Sequence, residues 1–399
     1  MTETLADFRR RVADFLAHHG CPAGAAPSRS RRPADHVAAA RVHQRALADA
    51  GLAGITWPVE VGGLGLGPEY RQAFAEESAG FETFSAVFTI GLGMCGPVLL
   101  ALGTADQRSR YLPPLLRADE VWCQLFSEPG AGSDLAGLTT TAVPDDDGGW
   151  RIRGQKVWTT YAHHSDRALL LARTDPGKAK HRGITMFVLD MTAPGVTVRP
   201  LRQATGDAEF NEVFLDDVRV GPDDVVGAVD EGWRAATLML MNERVALADN
   251  PIGSPVTLDA VVALANRTGR TTDPVVRKAV ADAYVAQQQA ELFARRIAGE
   301  VRVGRDPGAL ASIGKLAAGR LATQVSALAL EVAGPDAVAW DPADPDGGLW
   351  AYGELYAPSL SIAGGTEQIQ RTVLGERVLG LPREPQADRD VPFRELRRG

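Results

Sequence analysis

Residues 121–138 read VWCQLFSEPGAGSDLAGL, and residues 154–162 read GQKVWTTYA. In the first stretch an apolar run through Leu125 and Phe126 gives way to Ser127 and Glu128, then to Pro129-Gly130-Ala131-Gly132. Proline presets one turn dihedral and glycine takes conformations closed to other residues, so this quartet predicts a turn. A glycine-rich turn exposes its N–H groups and suits an anion such as a phosphate. Ser133 and Asp134 follow it, both able to bond local amides. In the second stretch Lys156, Trp158 and Thr160 alternate with Val157, Thr159 and Tyr161. That two-residue period predicts a strand with an aromatic ring and a hydroxyl on one face, against which a flat heteroaromatic ring can lie. Taken singly, each stretch fits an ordinary turn-and-strand unit of a β domain equally well.

Together, SEPGAGSD followed at this distance by GQKVWTT resembles the flavin-binding signature of the acyl-CoA dehydrogenase family. The resemblance implies an FAD enzyme. It places Leu125, Ser127, Gly132, Ser133, Trp158 and Thr160 at the cofactor. Ser127 and Thr160 would bond the flavin ring, Gly132 and Ser133 would meet the pyrophosphate, and Trp158 would pack on the isoalloxazine.

Around this signature, short alternating runs separated by turns such as PDDDGG (residues 144–149) and DPGK (175–178) predict an antiparallel β domain over residues 121–228. Before it, Leu5, Phe8, Val12, Phe15 and Leu16 keep a helical stripe, and residues 1–120 read as a helical domain. Its WPVEVGGLGL resembles the family's N-terminal domain. Residues 83–105 hold no charged side chain and meet the length of a membrane span, yet they contain Gly91, Gly93, Gly96, Pro97 and Gly103 between acidic flanks. A buried helix or helix pair is the expectation. The same stretch matches G-x-G-x-x-G over residues 91–96, but Pro97 follows and no second apolar strand ending in an acid comes after, so a dinucleotide fold is not expected.

After the β region, residues 229–385 read as long helices with short loops, a four-helix-bundle type of domain, and residues 386–399 as a charged, loosely held tail. The helix–β–helix order predicts an α+β multidomain fold and again resembles the family. The motif IAGGTEQIQRTVLGERVLGLP (residues 362–382) does so too, with Thr366 and Gln368 as implied FAD contacts. Two features depart from the family. Gly364 stands where many members carry the catalytic Glu, and EVAGPD (331–336) stands where many have a Gln and two glycines. The Arg-x-x-Phe-Gly pattern is not evident near Arg270, so the adenine-side contacts are not assigned.

The missing carboxylate has a substitute in WRAATLMLMNERVALAD (233–249). Helical neighbours lie three and four residues away, so Glu243 sits among Met239, Leu240, Ala246 and Leu247. A polar triplet in a helix apolar all round is expected to be buried, and burial raises a carboxyl pKa toward the range of a general base. The pattern alone also fits a structural ion pair with another helix. Some family members place the base on this helix in a Glu-Arg pair, isovaleryl-CoA dehydrogenase among them, and that resemblance names Glu243 as the base. Arg244, Gly364 and Gly365 are then expected at the substrate.

The implied reaction is α,β-dehydrogenation of an acyl-CoA thioester to the trans-2-enoyl thioester, with electron-transfer flavoprotein as acceptor and a homotetramer as the assembly. Acyl-carrier-protein dehydrogenase, flavin monooxygenase and a non-catalytic subunit of a heteromer are the alternatives. A net charge of −8 without a long Lys/Arg block argues against a nucleic-acid surface. Three cysteines without a CxxC pair fit a reduced cytosol, and Glu3, Asp7 and Asp14 interrupt any secretion or transit signal, so a cytoplasmic site is expected. Seven histidines form no HxxxH or Cys/His cluster, and no metal is expected.

Overall fold

The computed structural model describes residues 3–22, 33–249, 254–302, 305, 308–340, 346, 348–385 and 389–396; the side chains of 33, 34, 85, 243–249, 298, 301 and 302 fall outside that set. The chain forms two compact units, one of Met1–Leu201, Ala208–Glu243 and Gln386–Gly399, the other of Arg202–Asp207 and Arg244–Pro385. Among the described residues no helix is long and apolar enough to cross a membrane.

In the first unit, α1 (Leu5–His19) is capped by the Thr4 hydroxyl and buries Phe8, Val12, Phe15 and Leu16, the stripe its spacing predicts. It packs with α3 (Pro68–Ser78), while α2 (Pro33–Asp49) joins a second cluster with Phe84, Val87 and Phe88. Two-residue strands β1 (Cys21–Pro22) and β2 (Phe81–Glu82) pair antiparallel. The uncharged stretch forms α4 (Ser85–Ile90), one π-helical stretch (Gly91–Cys95) and α5 (Gly96–Leu102) in succession, with right-handed helical dihedrals at Ile90, Gly91, Cys95 and Gly96. Gly91 and Gly96 lie where the helix packs closely on its neighbours. A Cβ on Gly96 would lie 2.3 Å from the Trp57 ring. Next, α6 (Ala105–Leu116) opens with a capping box between Thr104 and Gln107.

Among the described residues the main sheet has eight strands: β3 (Trp122–Leu125), β4 (Thr141–Pro144), β5 (Trp150–Thr160), β6 (Arg167–Arg173), β7 (Ile184–Asp190), β8 (Val196–Pro200), β9 (Phe210–Val220) and β10 (Val225–Val226). Seven of them run in the order β10-β7-β6-β4-β5-β9-β8, and β3 pairs with β6 off this path. The sheet is mostly antiparallel, with one departure from expectation. Both β3 and β4 run parallel to β6, lying end to end along its edge: Trp122–Leu125 face Arg167–Leu170, and Thr141 faces Arg173. The signature turn is therefore the excursion between two strands that share one edge. In β6, Leu169 and Leu171 enter the core beneath the N-terminal helices, and Ala168, Leu170 and Ala172 enter the core on the other face. Burial on both faces is why β6 and β7 read as continuous apolar runs.

The helix α7 (Gly232–Asp249) buries Ala235, Ala236 and Met239 in the first unit. The second unit packs α8 (Leu258–Arg267), α9 (Pro274–Arg302), α10 (Ala311–Ala333), α11 (Leu349–Leu360) and α12 (Glu367–Arg377), with a core around Val261, Leu264, Val325, Leu328 and Trp350. The sequence reading has no counterpart for α11. Its LWAYGELYAPSL is apolar on all sides, so no single stripe betrays it. Gly353 admits Val256, whose Cγ2 a Cβ there would meet at 2.3 Å.

The tail is a correction. Residues 389–396 are not loosely held. Phe393 is 5% exposed, its N–H donates to the Lys178 carbonyl (2.8 Å), and the Arg394 N–H donates to the Pro176 carbonyl (3.0 Å). One aromatic side chain in a charged segment has no period, so sequence pattern does not reveal its docking.

Candidate functional site

Strand β5 outruns its partner β4. Its first residues, Trp150–Arg153, pair with β4, and beyond Gly154 it faces the excursion instead. Gly154 permits this passage, because a Cβ there would lie 2.3 Å from Thr140 Oγ1. Three bonds then tie the two signature stretches together. The Val157 N–H donates to the Ser127 carbonyl (2.9 Å), and Lys156 Nζ donates to the Phe126 carbonyl (3.0 Å) and to Glu128 Oε1 (2.9 Å). Glu128 also receives the N–H and hydroxyl of Thr139 (2.7 Å each) and the N–H of Thr140 (2.9 Å), which close the excursion where the chain re-enters the sheet. Burial pushes the Glu128 carboxyl up, but Lys156 and these donors outweigh it and hold the group at about 2. Burial lowers Lys156, against which the carboxylate acts. The sequence reading did not single out this pair; its signal is a lone lysine in the strand facing a lone acid before the turn.

The turn itself is tight and open. Glu128 and Ala131 exchange both backbone bonds at 3.0 Å. The N–H groups of Gly130, Gly132, Ser133 and Asp134 find no acceptor among the described residues. A Cβ on Gly130 or Gly132 would meet nothing within 4 Å. A run of unspent N–H groups on an open turn is an anion site. Ser133 is exposed there, and Leu125 is fully buried in the sheet core, so its side chain faces away from solvent.

The alternation expected of KVWTTY is broken. Lys156 is 0% exposed and Trp158 is 62% exposed, because the strand bulges between Lys156 and Thr159 and Trp158 takes φ +60°. A bulky residue with positive φ is strained, and such strain gathers at functional sites. The indole stands out of the sheet in a T-shaped arrangement with Phe210, the ring centroids 6.1 Å apart. The half-buried hydroxyls of Ser127 and Thr160 have no partner among the described residues. Asn211 anchors the bulged end by donating to the Thr159 (2.9 Å) and Glu209 (3.0 Å) carbonyls. Exposed ring, unspent hydroxyls and open amides suit a flat, phosphate-bearing group, and they fit FAD.

In the second unit Gly364, Gly365, Thr366 and Gln368 lie together at the start of α12. Gly364 and Gly365 take φ +67° and +91°. Gln370, 1% exposed, donates from Nε2 to the carbonyls of Gly364 (2.9 Å) and Gly365 (3.4 Å). Thr366 caps α12, its hydroxyl accepting the Ile369 N–H at 3.3 Å, and Gln368 is exposed. Gln370 is the residue here that the sequence reading passed over. Glu243 and Arg244 lie on α7 with side chains outside the described residues.

Family models match the whole arrangement: acyl-CoA dehydrogenase N-terminal domain over residues 2–119, middle domain over 123–218 and C-terminal domain over 230–379. The chain is 40% identical over 347 residues to acyl-CoA dehydrogenase IpdE1 of Mycobacterium tuberculosis, covering 86% of this chain and 88% of that protein. It is 42% identical over 391 residues to acyl-CoA dehydrogenase FadE34 of the same organism, covering 95% of this chain but 51% of that protein, so it spans about half the length of this relative. Among solved structures, one described as Tcur3481-Tcur3483 steroid ACAD superposes with TM-score 0.79 at 28% identity, covering 96% of this chain and 99% of that one. The ChsE4-ChsE5 complex from Mycobacterium tuberculosis gives 0.76 at 28%, with the same coverage. The chain belongs to the acyl-CoA dehydrogenase family, whose members are oxidoreductases and flavoproteins.

Proposed function

We propose that the chain dehydrogenates an acyl-CoA thioester between its α and β carbons, with Glu243 as the base. FAD, when bound, supplies the acceptor for the hydride from the β-carbon. Ser127 and Thr160 offer hydroxyls to the ring, Trp158 offers an apolar face, and the open amides about Gly132 and Ser133 hold the pyrophosphate. Leu125 seats β3 behind the ring, and Thr366 and Gln368 are further FAD contacts. Glu243 takes the α-proton, with Arg244, Gly364 and Gly365 lining the thioester. Position 364 is a glycine and carries no carboxylate of its own, so the base comes from elsewhere in the chain. The observation that carries the reading is the open turn bonded to the strand of Trp158.

A ring-bearing, steroid-like acyl group is the substrate class we favour, because a relative at 28% identity is described as a steroid enzyme. The assembly expected from the family is a homotetramer. A second reading, an assembly with a different chain, is favoured by the relative solved as the ChsE4-ChsE5 complex. Electron-transfer flavoprotein is the proposed electron acceptor. The test is anaerobic bleaching of the flavin by steroid-bearing and by short acyl-CoAs, with light scattering for the assembly. Glu243→Gln keeps shape and removes the base, so bleaching falls at least about a hundredfold while FAD stays bound. Bleaching near the wild-type rate would place the base elsewhere.

A further inference from the structure

A chain of contacts joins the C-terminal segment to the turn. Arg173, at the end of β6, is 2% exposed. Its guanidinium donates to the carbonyls of Ala136 (2.7 Å), Leu138 (3.2 Å) and Lys180 (3.2 Å). Ala136 belongs to the 3-10 turn Leu135–Gly137, and Leu138 directly follows it; this turn comes straight after Gly132-Ser133-Asp134. Lys180 in turn reaches both carboxylate oxygens of Asp134 at 3.1 Å. Phe393 covers the guanidinium, with 3.5 Å between Arg173 Cζ and the ring centroid. Ala179 pairs with Pro392 in an antiparallel bridge. The segment thus clamps the β6–β7 loop and, through Arg173 and Lys180, the rear of the anion turn.

We infer that Phe393 is a positioning residue for cofactor retention: the docked C-terminal segment holds Arg173, and Arg173 holds the turn that meets the FAD pyrophosphate. This rests on the FAD reading above. A planar guanidinium with three carbonyls on its edge leaves its faces to be covered, and a ring over one face fixes the plane in which its donors point. Fixing the Ala136 and Leu138 carbonyls fixes the direction in which the preceding amides of Gly132, Ser133 and Asp134 open. Coupling between sites is reciprocal. If the docked segment tightens FAD binding, then bound FAD tightens the docking of the segment.

The experiment follows hydrogen exchange in the full chain, apo and with FAD added. The Phe393 and Arg394 amides, bonded to the Lys178 and Pro176 carbonyls, are expected to exchange more slowly once FAD is bound. In parallel, Phe393→Ala is expected to bind FAD about tenfold more weakly by fluorescence titration. Phe393→Tyr, which keeps the ring, should restore binding. FAD binding to the wild type with no change in exchange at these two amides overturns the inference, as does unchanged affinity in Phe393→Ala. If Phe393→Ala unfolds, the wild-type exchange still decides. Failure of the wild type to bind FAD would instead overturn the reading of the site itself.

Discussion

Lys156 Nζ lies 2.9 Å from Glu128 Oε1, with both side chains shut off from water. This contact joins the second signature stretch to the first where the sheet has no ladder to do so. Removing one partner of a buried pair leaves the other charge unbalanced, at ~3–5 kcal/mol. Lys156→Met is therefore expected to lower unfolding free energy by about that much. Glu128→Leu combined with Lys156→Met should cost less than the two single changes summed. Urea denaturation of the four proteins measures the coupling, and simple additivity would show that the contact is not energetically real.

The same pair sets an acid limb. A carboxyl held at about 2 when folded and near ~4.3 when unfolded contributes stability that is fully present above the unfolded value. That contribution, about 3 kcal/mol, is lost as pH falls from ~5 through about 2. The gap in stability between wild type and the Lys156→Met single variant should narrow over that window. A gap independent of pH would mean that the carboxyl is not held low.

Trp158 is 62% exposed and takes φ +60° at the bulge against β9, so little of the sheet's packing rests on its side chain. Trp158→Gly relieves the positive φ, worth ~1–2 kcal/mol, against ~0.5–1 kcal/mol from the freer unfolded chain. Apoprotein stability should rise by at most ~1.5 kcal/mol while FAD affinity falls. Thr160→Val should leave the melting curve in place and weaken FAD binding or shift its potential, since an unmet bonding group costs ~1–3 kcal/mol. Unaltered affinity in both variants would remove the bulge from the site.

At the other turn, Gly365 has φ +91° and a Cβ there would sit 2.8 Å from Gln370 Nε2. Gly365→Ala is expected to cost ~1–3 kcal/mol of stability and to raise KM for the acyl-CoA as the Gly364–Gly365 turn is displaced. A variant with wild-type stability and KM would show that the turn tolerates a side chain and does not line the thioester.

The sequence by itself determined what depends on local chemistry. Proline and glycine made the turn at 129–132, the stripe of Phe8, Val12 and Phe15 made α1, and the two signature stretches together named the family. Tertiary structure decided what depends on distant partners. Strand periodicity put Lys156, Trp158 and Thr160 on one face, but pairing with β9 forced a bulge that buried the lysine and turned the indole outward. Nothing in VWCQL signals that β3 runs parallel to β6, because a strand buried on both faces has no alternation to read. An apolar helix such as α11 hides for the same reason, and Phe393 finds Arg173 only because the chain returns 220 residues later to a pocket that no local pattern encodes.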